Sequence, residues 1–379
     1  MNPDATKNAP SGINTSVSFL LDACRILAAL IVLVFHAYEQ WFPKLCSADS
    51  VIAKSAHTAV VVFFVISGYV IAFSTSAFNR GALQYANARL TKLSSIVIPA
   101  LIVTAICQIA IYFLNKDLYV TYTRSHSFIR YLISGLFSNE LWFNSSAPPL
   151  NSPLWSLSFE FWYYAIFGFW FYSKKGITRV LFTIITCLIA GPKILLLMPI
   201  WIFGCLAFTV PPIALSNSKK LLFASVLFLL GLISTFSLPL YPYKISGEHF
   251  YFANQFVTDW IVGICFGTAL WLISKVQFFK ISKDFLKSFR KFADLTFPIY
   301  VLHFPLLVLW QSIVGTYTSN FFHVWLAIVG VLIVSSLLGL LFESQRKIWL
   351  LLFTRILITV KRAKMLLQAF LLRKPSSVS

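Results

Sequence analysis

The stretch Phe19–Tyr38, FLLDACRILAALIVLVFHAY, decides how the rest of the chain is read. It is apolar and ~20 residues long, the length a helix needs to cross the hydrocarbon core of a bilayer. It also carries Asp22, Arg25 and His36, which a plain lipid-facing helix would not. An arginine at the bilayer centre costs roughly 2.5–3.5 kcal/mol on insertion scales, so such a group belongs against protein or in a water-filled cavity. Arg25 and His36 are eleven residues apart. At ~100° per residue they share one helix face, separated by ~16 Å along the axis. One stripe therefore holds a permanent cation towards one end and a titratable imidazole towards the other. The plain alternative is a snorkelling arginine and a histidine that only hydrogen-bonds a neighbouring helix.

The same character runs through all 379 residues, of which 58% are hydrophobic and only 11% charged. Repeated apolar runs of spanning length make the chain all-α, a polytopic membrane helical bundle of about ten transmembrane helices. The expected spans are about 19–38, 56–76, 94–114, 154–172, 177–192, 195–213, 219–238, 253–274, 295–314 and 321–342. The fifth and sixth are short, with only Gly191 and Pro192 between them, and are the weakest of the set.

An even number of spans puts both termini on one side. With that side in the cytoplasm, 23 of the 31 lysines and arginines fall on it and seven on the other, which fits the positive-inside bias. The same distribution explains the basic charge without nucleic acid. Residues 1–18 are a polar, cytoplasmic N-terminal segment without the layout of a signal peptide, so the first apolar run is expected to stay as an anchor. Residues 343–379 form a basic tail; from Arg346 to Lys374 it reads as a helix lying on the inner leaflet of the lipid bilayer. Loop 115–153 is too long for a mere connector and is expected to shape an external site. Five of the six cysteines lie in apolar runs and no CxxC occurs, so neither a disulfide framework nor a metal site is indicated.

Several polar groups can be compared by depth. The fourth span runs opposite to the first and begins SPLWSLSFEFWYY, which sets Ser156, Ser158 and Glu160 near the level of His36. A buried carboxylate needs a partner, and Glu160 beside His36 would orient the imidazole as a general base requires. In the second span, FFVISGY, Ser67 and Gly68 allow close approach of another helix. Arg89 and Lys92, at i and i+3 before the third span, share a face at its cytoplasmic end. They suit a polyanionic donor such as a nucleotide phosphate, or simply anchor the helix. In LTFPIYVLHFPLL of the ninth span, His303 reads as a helix contact, with Tyr300 nearby, and both are taken as supporting residues of the site. His57, His126, His249 and His323 sit at span edges or in loops and are assigned no role.

These residues carry a resemblance. Arginine, ten residues, then histidine in the first helix; FFVISGY; WSLSFEFWYY; and FPIYVLHFPL occur in the order found in the acyltransferase 3 family of bacterial inner-membrane proteins. The likeness covers about residues 19–343 and makes 19–342 a transmembrane acyltransferase domain. It implies transfer of an acyl group, usually acetyl, from cytosolic acyl-CoA (acetyl-CoA) as donor substrate, with no permanently bound cofactor. The acceptor would be a hydroxyl of an envelope carbohydrate, such as a polysaccharide or a lipopolysaccharide O-antigen. It carries Arg25 and His36 across as the essential pair, with Glu160 to orient His36, and Arg89 as a donor-side cation. Lys92 stands where the family often has a second arginine, which keeps the charge and loses the bidentate fork. The ending FESQRK lacks the proline that often follows the family's late glutamate, and no esterase-like domain follows the last span. A stand-alone form, or one working with a separate extracytoplasmic partner protein, is expected. His36 would be the general base or a transient acyl carrier. The rival reading is a transporter or flippase for a lipid-linked saccharide, with Arg, Glu and His as coupling groups. Such proteins often show half-repeats, and none is evident here.

Overall fold

The computed structural model describes residues 13–78, 81–242, 247–315 and 321–372. Both chain ends, including most of the expected N-terminal segment, lie outside the described residues. Within them the regular structure is entirely helical. In order it comprises α1 (Thr15–Trp41), α2 (Val51–Phe78), α3 (Ala82–Leu114), α4 (Lys116–Tyr122), α5 (Ser127–Gly135), α6 (Trp155–Tyr172) and α7 (Ile177–Ala190). There follow α8 (Pro192–Thr209), α9 (Asn217–Ser237), α10 (Phe256–Ile273), α11 (Lys283–Asp294), α12 (Thr296–Val314), α13 (Phe321–Ser344) and α14 (Arg346–Leu372).

All ten segments read as spans are helices, and eight helical stretches are long and apolar enough to cross a membrane. The protein is a multi-pass membrane helical bundle. The shortfall comes at α6 and α7, the fourth and fifth segments, whereas α8, the sixth, passes. The 14 residues of α7 are too few. The length of α6 suffices, but Glu160 and its Trp and Tyr side chains dilute its apolar character.

The helix α1 holds the centre, packing on α2 along one side and on α12 along the other. Beyond α2 lie α8, α9 and α10; beyond α12 lie α3, α13 and α14. Its first turn is fixed by Asn14, whose side chain accepts from Val17 N at 2.9 Å and donates to Val276 O at 2.9 Å. The tightest crossing is α2 on α8. A Cβ added to Gly68 would lie 2.0 Å from Trp201 O, and one on Gly204 2.0 Å from Val65 O. Only glycine on both helices lets the two backbones come so close.

We call the face where α1 begins proximal and the face where it ends distal. On the proximal face α14 packs against α3, with Asn87 Nδ2 donating to Thr354 Oγ1 at 2.7 Å, and turns Ile348, Leu351 and Val360 outward. On the distal face the loop between α3 and α6 folds down onto the bundle. Its Glu140 and Lys193 of α8 form an ion pair whose side chains are both fully buried. Burial pushes the Glu140 carboxyl up, against the downward pull of Lys193 and the Ser145 hydroxyl. Trp142 N also donates to Ala190 O at 3.2 Å.

Candidate active site

A cavity of about 110 Å³ lies between α1, α2, α3, α6 and α12. Its polar lining brings together residues widely separated in sequence: Arg25, Ser67, Arg89, Lys92, Glu160 and Tyr300. Three cations thus face one space with a single carboxylate, and Phe63, Phe64 and Val70 supply apolar wall. Such excess positive charge in a low-dielectric cleft draws anionic groups.

Five of these six groups are held by neighbouring side chains or backbone. Arg25 Nη1 lies 3.6 Å from Asp22 Oδ1, and Asp22 Oδ2 is 3.3 Å from Arg290 Nε of α11. Arg89 Nη2 donates to Ser74 Oγ at 3.3 Å, and its guanidinium sits 5.8 Å from the Tyr85 ring centre and 5.7 Å from that of Tyr164. Glu160 Oε1 accepts from Ser67 Oγ at 2.8 Å and from the Tyr164 hydroxyl. The hydroxyls of Ser156 and Tyr300 share a hydrogen bond of 2.7 Å, and Tyr300 donates to Pro153 O at 2.9 Å.

The expected pairing of Glu160 with His36 is not formed. The carboxylate on His36 is Glu39, one turn further along α1, with Oε2 at 2.9 Å from Nδ1. The depth comparison fails because α6 starts inside the bundle. Asn151, Pro153 and Leu154 before it are already buried, Asn151 Nδ2 donating to Val301 O at 3.0 Å. Glu160 therefore lies deeper, in the cavity with Arg25. Ser158 is also redirected: its hydroxyl donates to Phe137 O at 2.7 Å and fastens the distal loop. Gly68 is a packing residue of the α2–α8 crossing, while its neighbour Ser67 lines the cavity.

His303 lies closer to His36 than the sequence implies. Its ring centre is 5.2 Å from that of His36, with 31° between the planes. Its Nδ1 lies 2.7 Å from Tyr300 O and 3.2 Å from Ile299 O, which assigns the proton to Nδ1. Its Nε2 is buried without a partner. Phe304 meets His36 edge-on at 5.0 Å and Tyr122 of α4 at 5.9 Å, so the distal loop reaches over the two histidines. Because Tyr300 lines the cavity and His303 follows it by one turn on α12, the histidines stand just distal of the cavity. Burial pushes the Tyr122 phenol up to about 12, so it stays a neutral hydroxyl there.

Asp22 and Glu39 went unassigned in the sequence, although i−3 from Arg25 and i+3 from His36 put each on its partner's helix face. His57, given no role, is 2.9 Å from the buried Asp259 and ties α2 to α10. Its Asp259 partner, 202 residues away, left no local signal.

Residues 20–340 match the model of the acyltransferase 3 family, described as an acyltransferase domain. No curated protein and no solved structure matches the chain.

Proposed function

The chain belongs to the acyltransferase 3 family and is a membrane acyltransferase, and on that premise we propose that it moves an acyl group from acyl-CoA to a hydroxyl of an envelope carbohydrate. The single observation that carries this reading is the pairing of a polycationic cavity with a carboxylate-backed histidine just beyond it. Acyl-CoA, with acetyl as the simplest cargo, joins a highly anionic nucleotide to a long neutral arm ending in a thioester. Arg89 and Lys92 hold the phosphates; Arg25, restrained by Asp22, faces the arm or its thioester carbonyl. Glu160 balances the three cations and, with Ser67 and Tyr164, keeps the wall polar when the cavity is empty.

The acceptor hydroxyl approaches from the distal side. His36 takes its proton at Nε2 while the oxygen attacks the thioester carbon. The new C–O bond forms, the C–S bond breaks, and the proton passes to the departing thiolate. Glu39 at Nδ1 fixes the tautomer and stabilises the imidazolium, the part an aspartate plays in a serine-hydrolase triad. A positioned histidine base contributes ~10²–10⁴-fold to such a step. The side bearing Arg89, Lys92 and α14 is then cytoplasmic, the membrane is the bacterial inner membrane, and the acceptor is a polysaccharide or lipid-linked saccharide outside it.

The test compares surface carbohydrate by mass spectrometry in a strain lacking the protein and in that strain complemented with wild type or His36→Ala. Wild type should restore acyl-shifted species and His36→Ala should not, at equal membrane abundance. Restoration by His36→Ala would remove the general base. An identical carbohydrate in all strains would refute the acceptor assignment.

A further inference from the structure

A second cavity of about 380 Å³ opens on the proximal side of the first, between the start of α3 and the end of α6. The two share Arg89 and Tyr164, so they meet at the guanidinium. On α3 the central cavity uses Arg89, Lys92 and Leu93, whereas the second begins at Ala82. At ~1.5 Å per residue the second extends roughly 10 Å beyond Arg89 towards the proximal face. Its walls are aromatic: Tyr85, Phe161, Tyr164, Phe169 and Tyr172. Tyr85 and Tyr172 stand 5.1 Å apart, centre to centre, at 40°.

Two polar atoms here have no partner. Arg89 Nε and Tyr172 Oη are buried and unbonded. Buried donors are rarely left unsatisfied, so both atoms favour a polar occupant over an apolar one. A lipid tail would fill the apolar volume and leave both unsatisfied. A planar heterocycle would stack on the rings, accept from Tyr172 and, through its attached phosphates, meet Arg89. The volume lies within the usual ~300–1,000 Å³ of a small-molecule site.

We propose that this aromatic cavity is the subsite for the nucleobase of the donor, adenine in acyl-CoA, which places Arg89 at the phosphates and leads the thioester arm into the central cavity. The inference rests on the acyl-CoA reading above, and the experiment separates the two.

Detergent-purified protein is assayed with acetyl-CoA and with acetyl-N-acetylcysteamine, a thioester that lacks the nucleotide, by following thiol release in the presence of the acceptor polysaccharide. Ala86→Phe and Ala165→Phe fill the cavity from opposite walls; Tyr172→Phe removes only the hydroxyl. The filling variants should raise KM for acetyl-CoA at least tenfold and Tyr172→Phe several-fold, with wild-type rates on the short thioester. Unchanged KM for acetyl-CoA in all three overturns the subsite while leaving the acyl-CoA reading intact. Equal loss with both thioesters also overturns it, because the cavity would then be a lipid-filled packing gap. A wild-type protein that turns over neither thioester overturns the acyl-CoA reading itself. If a filling variant does not accumulate, Tyr172→Phe decides alone.

Discussion

The imidazoles of His36 and His303 lie 5.2 Å apart, and each has its Nδ1 engaged: by the Glu39 carboxylate in one, by backbone carbonyls of α12 in the other. Both therefore offer Nε2 as the free acceptor, but only His36 has a negative charge behind it. A proton taken from a hydroxyl is best held on His36, while His303 is a neutral acceptor beside it.

Glu39→Gln keeps a hydrogen-bond acceptor at His36 Nδ1 and removes the charge. It should lower kcat by roughly 10²-fold, the lower end of what general-base catalysis supplies. KM for acyl-CoA should stay unchanged, since Glu39 lies outside the cavity lining. Steady-state kinetics on purified protein at matched concentration check this; a wild-type kcat would make the His36–Glu39 pair a surface contact only.

His303→Phe preserves a ring against His36 and Phe304 and deletes the unpartnered Nε2. Membrane abundance should remain normal while acyl transfer drops at least tenfold. Normal transfer by His303→Phe would return His303 to the helix-contact role read from the sequence.

Arg89→Ala removes the cation common to both cavities. A hydrogen bond to a charged group is worth about 1.5–3 kcal/mol, so KM for acyl-CoA should rise roughly 10- to 100-fold, and KM for the acceptor hardly at all. A change in protein abundance alone, with both KM values intact, would make Arg89 an anchoring residue.

The buried pair of the distal loop gives a stability and pH prediction. Lys193→Met leaves Glu140 buried and uncompensated, at a cost of about 3–5 kcal/mol. The sign follows from burial, which raises the folded carboxyl above its unfolded value. Such a group favours folding below the unfolded value and loses that contribution as pH rises through the folded one. The deficit of Lys193→Met should therefore shrink on acidification, and Lys193→Met/Glu140→Leu should recover most of it. Thermal unfolding of solubilised protein between pH 5 and 8 is the measurement; a pH-independent deficit would contradict it.

Reporter fusions at Gly12 and Ser376, both outside the described residues, should report the cytoplasm, as the distribution of lysine and arginine requires. Opposite signals at the two ends would mean an odd number of crossings.

Much of this was legible in the sequence because membrane helices announce themselves by length. The ten segments read as spans are all helical, and Arg25, Arg89 and Lys92, read from the sequence, converge on one cavity. Depth was not legible. Whether Glu160 meets His36 or Arg25 depends on how far into the bundle α6 begins, and that is set by the buried turn around Asn151, tied to Val301 on a helix 150 residues away. Ser158 was misassigned for the same reason: its partner is a carbonyl, Phe137 O, in a loop without periodicity. The approach of His303 to His36 was not legible because the two lie on helices far apart in sequence.

Tyr300 and Ser156, knotted together with the Pro153 carbonyl, line the cationic cavity one helical turn from His303. On the proposed reading the protein hands a reactive group across a membrane, a difficulty that a soluble transferase never meets. Any water-filled path joining its two reactants is also a leak for protons and ions, and a cell that lives on its ion gradients cannot tolerate one. On that reading, a tyrosine hydroxyl clasped by serine and a backbone carbonyl would close the way with no charge to desolvate. It needs to part only for as long as a slender thioester fills the gap behind it. On this view the turnover of such an enzyme is limited less by its chemistry than by how seldom it dares to be open.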